Sequence, residues 1–280
     1  MKKKTLDQFE AVHGQEKVKD LRKRLATEQA KVDALAGVQN KVAIKKSESN
    51  TLKFALLGDI HVGSLYFRPE ALQAFYDYAE KQGVQDFFIT GDILSGHRVF
   101  KGHEFELRDI GLEAQAARLK ECAPRNGFSR FITGNHDASF KHLVGVSVGK
   151  MIEQTVDTWE FLGEEQGRVR WETPEGDFEL MLIHPGGGSS YALSYRPQKI
   201  VESLEGGTKP NMLAIGHYHK AEMMPSYRNV CSVQTGTFEA QTPFMARQGL
   251  AAHVGGWLME VVVGKGYNTI RGEFVAFYNV

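Results

Sequence analysis

From Leu52 onward, short apolar runs alternate with amphipathic stretches. Lys53-Phe54-Ala55-Leu56-Leu57, Asp86-Phe87-Phe88-Ile89-Thr90 and Ser129-Arg130-Phe131-Ile132-Thr133 are too short for helices and too apolar for loops, so they predict buried strands. Between them, 70–81 sets Leu72, Phe75, Tyr78 and Ala79 near one helical face, and 105–122 also has helical spacing. The β-α-β-α-β order predicts an α/β domain with a sheet covered on both faces. A further helix is predicted over 146–159. The remainder is strand-rich, with runs at 168–171, 178–183, 212–215, 230–234, 257–263 and 269–278.

The pattern before residue 50 is different. Val18, Leu21, Leu25, Val32 and Leu35 occupy a and d heptad positions, interrupted by Glu28, which predicts an amphipathic helix over 15–36. Residues 45–50 predict a polar linker. Two parts follow: 1–50, a basic helix and linker, and 51–280, the main domain. Charge sharpens this boundary. Residues 1–46 hold 12 Lys/Arg and 6 Asp/Glu, a net of +6, and the rest of the chain carries −6. Packing on its own domain, a homodimer through the helix, or nucleic-acid contact would each use such a segment.

The 280 residues are 42% hydrophobic, enough for a sizeable core, which excludes disorder throughout. Zero net charge excludes a uniformly basic nucleic-acid coat. No run of 18 apolar residues predicts a membrane span, and the basic start has no apolar stretch behind it to form a signal peptide. Cys122 and Cys231 are too few and too far apart for a disulfide framework or zinc finger, so a reducing, cytoplasmic compartment is expected.

The chemistry gathers where strands end. Gly58-Asp59-Ile60-His61, Gly91-Asp92, Gly134-Asn135-His136-Asp137, His184 and Gly216-His217-Tyr218-His219 each directly follow an apolar run. In open α/β sheets the carboxyl ends of strands share one crevice, so these clusters are expected to converge. Asp59, His61, Asp92, Asn135, His184, His217 and His219 are seven oxygen and nitrogen donors without a thiolate. They are too many for one tetrahedral zinc and suit two adjacent divalent ions of the Mn, Fe, Co, Ni or Zn kind. Any one cluster alone would be a turn or a surface accident. Five in order, each at a strand end, are not.

This ordered set resembles the calcineurin-like metallophosphoesterases over about 52–280. The resemblance implies a four-layer α-β-β-α sandwich of two mixed sheets, here preceded by the N-terminal helix. It implies one ion held by Asp59, His61, Asp92 and His219, and a second by Asp92, Asn135, His184 and His217, with Asp92 shared. It implies two divalent ions, Mn first, that activate water for in-line attack on phosphorus. His136 would protonate the leaving group and Asp137 would orient it.

The overall layout is similar to DNA-repair exonuclease-type phosphoesterases of phage and prokaryotes, which implies a phosphodiester substrate, nucleic acid ahead of cyclic nucleotides and other small diesters. Phosphomonoester hydrolysis and a non-catalytic binding subunit stay open as alternatives. Three segments are expected to shape the pocket: 94–106, 186–198 and 236–256. Their candidate substrate contacts are His97, Arg98, His103, Tyr191 and Arg196, since Arg and Tyr bind phosphate and stack on bases.

Overall fold

The computed structural model describes residues 42–278. The helix expected over 15–36, and any dimer contact through it, lie outside the described residues. Two mixed six-stranded sheets form the centre. In the first, β2 (Thr51–Leu57), β3 (Asp86–Ile89), β4 (Phe128–Thr133) and β5 (Trp159–Glu164) run parallel. Strands β11 (Gly255–Gly264) and β12 (Tyr267–Ala276) extend it antiparallel, giving the order β12-β11-β2-β3-β4-β5. The second sheet contains β1 (Val42–Lys46), β6 (Gln166–Thr173), β7 (Gly176–Ile183), β8 (Met212–Ile215), β9 (Ala221–Tyr227) and β10 (Val230–Thr235), in the order β1-β6-β7-β8-β10-β9. Within it β7, β8 and β10 are parallel neighbours.

The period-2 alternation of the strands builds the layers. Phe54 and Leu56 of β2 turn toward the second sheet, packing in one cluster with Phe88, Ile132, Trp171 and Phe178. Ala55 and Leu57 turn the other way, joining Phe75, Phe87 and Ile89. Phe54 stacks on Trp171 at 5.3 Å and meets Phe88 edge-on at 5.5 Å. Burying each such ring is worth roughly 1.5–3 kcal/mol. On the outer face of the first sheet lie α1 (Pro69–Lys81), α2 (Leu112–Cys122), α3 (Asn135–Val144) and α4 (Val148–Thr155). Helix α1 starts at Pro69, whose missing N–H costs nothing at a first helical position, and buries Ala71, Leu72, Phe75, Tyr76 and Ala79. On the other side, α5 (Tyr195–Ser203) packs Val201 against Met181, Leu213 and Ile215. The result is the expected α-β-β-α sandwich. A short α6 (Pro243–Arg247) sits in the segment before β11.

Several local expectations are corrected. The helix expected from 105 begins at Leu112, because Gly111 has a left-handed φ of 91° and the preceding residues make only a 3₁₀ turn at His103–Glu106. The helix expected to 159 ends at Thr155. Trp159, Phe161 and Leu162 are instead buried in β5, where aromatic side chains fit a pleated surface. Lys45 and Lys46 are not linker but the end of β1, which pairs parallel with β6. Lys45 forms an ion pair with Asp86. Among the described residues no helix is long and apolar enough to cross a membrane.

Candidate metal centre

The topology explains why the clusters meet. Strands β2, β3 and β4 are parallel and so are β7, β8 and β10, so the loops leaving them emerge at one edge of the sandwich. Asp59 and His61 follow β2, Asp92 follows β3, Asn135 and His136 open α3 after β4, His184 follows β7, and His217 and His219 follow β8. The backbone is bent to bring them in. Asp59, His61, Asp92, His217 and His219 all have left-handed φ, between 48° and 79°. For residues with a Cβ this conformation costs of order 1–2 kcal/mol each, and such strain concentrates at functional sites. Glycine serves close approach here too. A Cβ on Gly134 would lie 2.2 Å from Asp92 Oδ1 and 2.7 Å from the His184 ring.

The donors form three overlapping groups. Asp59, His61 and His219 share one, Asp92, His184 and His217 another, and His61, Asp92 and His136 a third. His61 Nε2 and His219 Nε2 lie 3.0 Å apart, and His219 Nε2 lies 3.5 Å from Asp59 Oδ1. Asp92 Oδ2 is 3.2 Å from His184 Nε2 and 4.0 Å from His61 Nε2, so this carboxylate touches both sides of the centre. Asn135 Oδ1 lies 3.0 Å from His184 Nε2. The outer bonds fix the tautomers. His184 Nδ1 donates to the Thr90 carbonyl at 2.8 Å, which turns Nε2 inward. His217 Nε2 donates to the Gly187 carbonyl at 2.8 Å, which leaves Nδ1 as its free donor atom. The Asp59 carboxylate accepts the His217 backbone N–H at 3.0 and 2.9 Å, tying the first cluster to the last.

The electrostatics are those of a cation site. Burial drives His61 well below the usual histidine range and His219 down to about 3, so both offer neutral imidazoles. Burial also opposes charge on Asp92, but the surrounding histidines, His184 foremost, hold it well below the carboxylate range. Burial lifts Asp59 well above that range. Among the described residues the buried Nδ1 atoms of His61 and His219 have no hydrogen-bond partner, although a metal-bound histidine normally donates from its other nitrogen. The nitrogen and carboxylate donors fit a pair of borderline divalent ions.

The expected role of Asp137 is corrected. Its buried carboxylate does not touch His136. It accepts the backbone N–H groups of Gly134 at 2.9 Å, Leu94 at 2.8 Å and Ile93 at 3.2 Å. As the third residue of α3 it folds back on its own helix start, half of a capping box, and faces away from the second residue. His136 is oriented instead by Ser95, whose carbonyl accepts from Nδ1 at 2.7 Å.

The centre opens into a cavity of about 540 Å³ lined by all three expected segments. Of the candidate substrate contacts only His103 lines it. Arg98 is exposed on a left-handed residue that turns Val99 and Phe100 inward in its place. His97 is half-buried with its backbone N–H held by Ser139, Tyr191 is fully exposed, and Arg196 donates to the Gly188 carbonyl and lies over the Tyr218 ring. A residue not anticipated, Glu239, is buried 4.0 Å from His61 Nε2 and bonded to Ser64; burial pushes its carboxyl up to about 8. It follows β10, as the other clusters follow their strands, so the strand-end rule applied once more would have found it.

With this geometry in place, the family model of the calcineurin-like phosphoesterases matches residues 52–221. The chain belongs to that family. It is 25% identical over 245 residues to the DNA polymerase II small subunit of Halobacterium salinarum, covering 73% of this chain and 47% of that one. The chain thus spans about half the length of the curated relatives it matches. Among solved structures it is similar to vacuolar protein sorting 29 of Cryptosporidium parvum, at 15% identity and a TM-score of 0.40, over 81% of this chain and 99% of that one. It is also similar to GAP50, the anchor in the inner membrane complex of Plasmodium, at 12% identity and a TM-score of 0.49, over 81% of this calcineurin-like phosphoesterase and 84% of the other.

Proposed function

We propose that this calcineurin-like phosphoesterase is a two-metal phosphodiesterase acting on nucleic acid. The convergence of all seven donor residues, with His136 presenting a free nitrogen beside them, carries the reading. Asp59, His61, Asp92 and His219 would hold one ion, and Asp92, Asn135, His184 and His217 the other. When bound, such a pair of ions, Mn first, supplies Lewis-acid activation of water and neutralises charge at phosphorus. The chain supplies the rest. Thr90 and Gly187 hold the ligand rings of His184 and His217 in orientation. Ser95 commits Nδ1 of His136, so Nε2 is the atom that gains a proton and delivers it to the departing oxygen.

The cavity favours a diester. Among the described residues no lysine or arginine lines it, whereas Glu106 and Glu239 do. A monoester dianion would lack its usual clamps there, and a diester carries a single charge. Nucleic acid is favoured over small diesters by the similarity to a polymerase small subunit and by the basic segment before residue 47. The same similarity supports a second reading, a non-catalytic subunit that binds rather than cleaves. The full donor set argues against it.

The deciding experiment incubates Mn-loaded protein with labelled single- and double-stranded DNA, cyclic AMP, bis-p-nitrophenyl phosphate and p-nitrophenyl phosphate, with Asp92→Ala as control. DNA cleavage absent from the control is expected. Cleavage of small diesters alone removes nucleic acid as substrate. Faster turnover of the monoester removes the diesterase reading, and no turnover by fully metal-loaded protein leaves the binding subunit.

A further inference from the structure

A continuous run of aromatic rings leads outward from the centre. His61 meets His136 edge-on at 4.5 Å between ring centroids, and His136 meets His103 edge-on at 5.3 Å. His103 lies 4.7 Å from Phe100, and Phe100 stacks on Phe244 at 4.4 Å and 22°. Beyond the histidines the lining turns apolar, with Val99, Phe100, Phe244, Met245 and Leu250.

This wall is braced. Glu106 Oε1 accepts the backbone N–H of Phe244 at 3.2 Å, and the Thr242 hydroxyl caps α6 by accepting from Met245 N at 3.2 Å. Both phenylalanines are half-buried and line the cavity. Braced, half-buried aromatic rings in a cavity within the ~300–1,000 Å³ range of small-ligand pockets match what a flat ligand group needs. Their position sets which group. The run passes through His136 on its way to the phenylalanines, so a group that departs with the proton of its Nε2 leaves toward the wall.

We infer that Phe100 and Phe244 form a nucleobase seat for the nucleoside on the leaving-group side of the scissile diester. The inference rests on the phosphodiesterase reading for the side it assigns, but the seat can be tested without catalysis. A base stacks on an aromatic side chain with little regard to sequence, so the seat selects for the presence of a base rather than its identity.

The test titrates the full-length protein, Mn-loaded and chelator-treated, with thymidine 5′-(methyl phosphate) and with its abasic 1,2-dideoxyribose analogue, by calorimetry. The base-bearing diester is expected to bind about tenfold tighter. Phe244→Ala should shrink that ratio to within about twofold, and Phe244→Trp should preserve it, which separates lost stacking from a misfolded α6. Equal affinity of the two ligands for wild type overturns the seat. A binding preference that persists while no diester is cleaved supports the seat and removes the hydrolase reading instead. Dinucleotides made abasic on one side or the other then test the assignment. The larger drop in kcat/KM must fall on the leaving side, and a larger drop on the other side overturns it.

Discussion

His136 Nδ1 lies 2.7 Å from the backbone carbonyl of Ser95, and this bond fixes which nitrogen of the histidine works at the centre. The loop that supplies the carbonyl is held close to α3. Gly96 has a φ of 78°, and a Cβ there would stand 2.3 Å from the His136 carbonyl oxygen. His136→Ala should therefore keep bound metal while losing about 10²–10⁴-fold in rate on diesters with poor leaving groups. The loss should be much smaller for p-nitrophenolate, which departs without a proton. Gly96→Ala should show the same leaving-group dependence in milder form. Rates on paired alkyl and p-nitrophenyl diesters, with metal analysis on each variant, decide it; equal losses on both substrates point to a role in substrate positioning.

The Asp92 carboxylate lies near ring nitrogens in both halves of the donor set, His61 Nε2 at 4.0 Å and His184 Nε2 at 3.2 Å. Asp92→Ala should release both ions and bring activity to background, whereas His219→Ala should release one. Elemental analysis after gel filtration reads this directly. Retention of one tightly held ion in Asp92→Ala would show two independent sites.

The pH behaviour of the chelated protein follows from His184. Burial opposes its charge, yet the Asp92 carboxylate and its hydrogen bond, with Asp59 and the Thr90 carbonyl, lift it from 6.5 to about 10. A raised folded-state value means that the folded protein holds the proton more tightly than the unfolded chain. The stability this contributes is fully present below pH 6.5 and is lost as pH rises through about 10. A metal ligand must be deprotonated, so ion binding at neutral pH should release a proton, and apparent metal affinity should climb across the same window. Titration calorimetry in buffers of different ionisation enthalpy measures the proton count. A buffer-independent enthalpy would contradict it.

What was legible in the sequence is the part that burial and strand ends control. Leu56-Leu57 and Phe131-Ile132 are apolar because both faces of their strands are covered, and each is followed within three residues by a ligand. Two edge strands of the second sheet hid themselves. Strand β9 contains Pro225 and is only half-buried, and β1 ends in two lysines, so neither has a core strand's pattern. Gly134-Asn135-His136-Asp137 has the composition of a turn, and only the tertiary structure shows it to be a helix start capped by Asp137. Arg98, Tyr191 and Arg196 have suitable chemistry, but side-chain direction depends on loop conformation, which no spacing rule encodes. The aromatic wall escapes the sequence for the converse reason: Phe100 looks like an ordinary apolar residue until Phe244, more than a hundred residues later, stacks on it.

Strand β1 sets where the N-terminal segment can be removed. Its Ala43 is buried, its backbone pairs with β6 from Val42–Arg168 to Lys46–Glu172, and Lys45 ties to Asp86 and lies 6.0 Å from the Trp171 ring. A truncation beginning at Val42 keeps all of this, and every donor of the centre lies well beyond the cut. It should retain metal binding and hydrolysis. A truncation beginning at Ser47 loses the strand. It leaves the ladder groups of β6 on that side without partners, uncovers part of Trp171 and removes the Lys45 partner of Asp86, which keeps Arg130. At about 0.5–1.5 kcal/mol for each ladder hydrogen bond, the second truncation should be less stable than the first by about 3 kcal/mol. Urea unfolding of the two truncated proteins, both chelated, measures the difference. Equal midpoints would show that β1 adds nothing to the fold. If the residues before Val42 also bind nucleic acid, DNA affinity of the full chain should fall with salt more steeply than that of the protein beginning at Val42, because excess positive charge has been taken away.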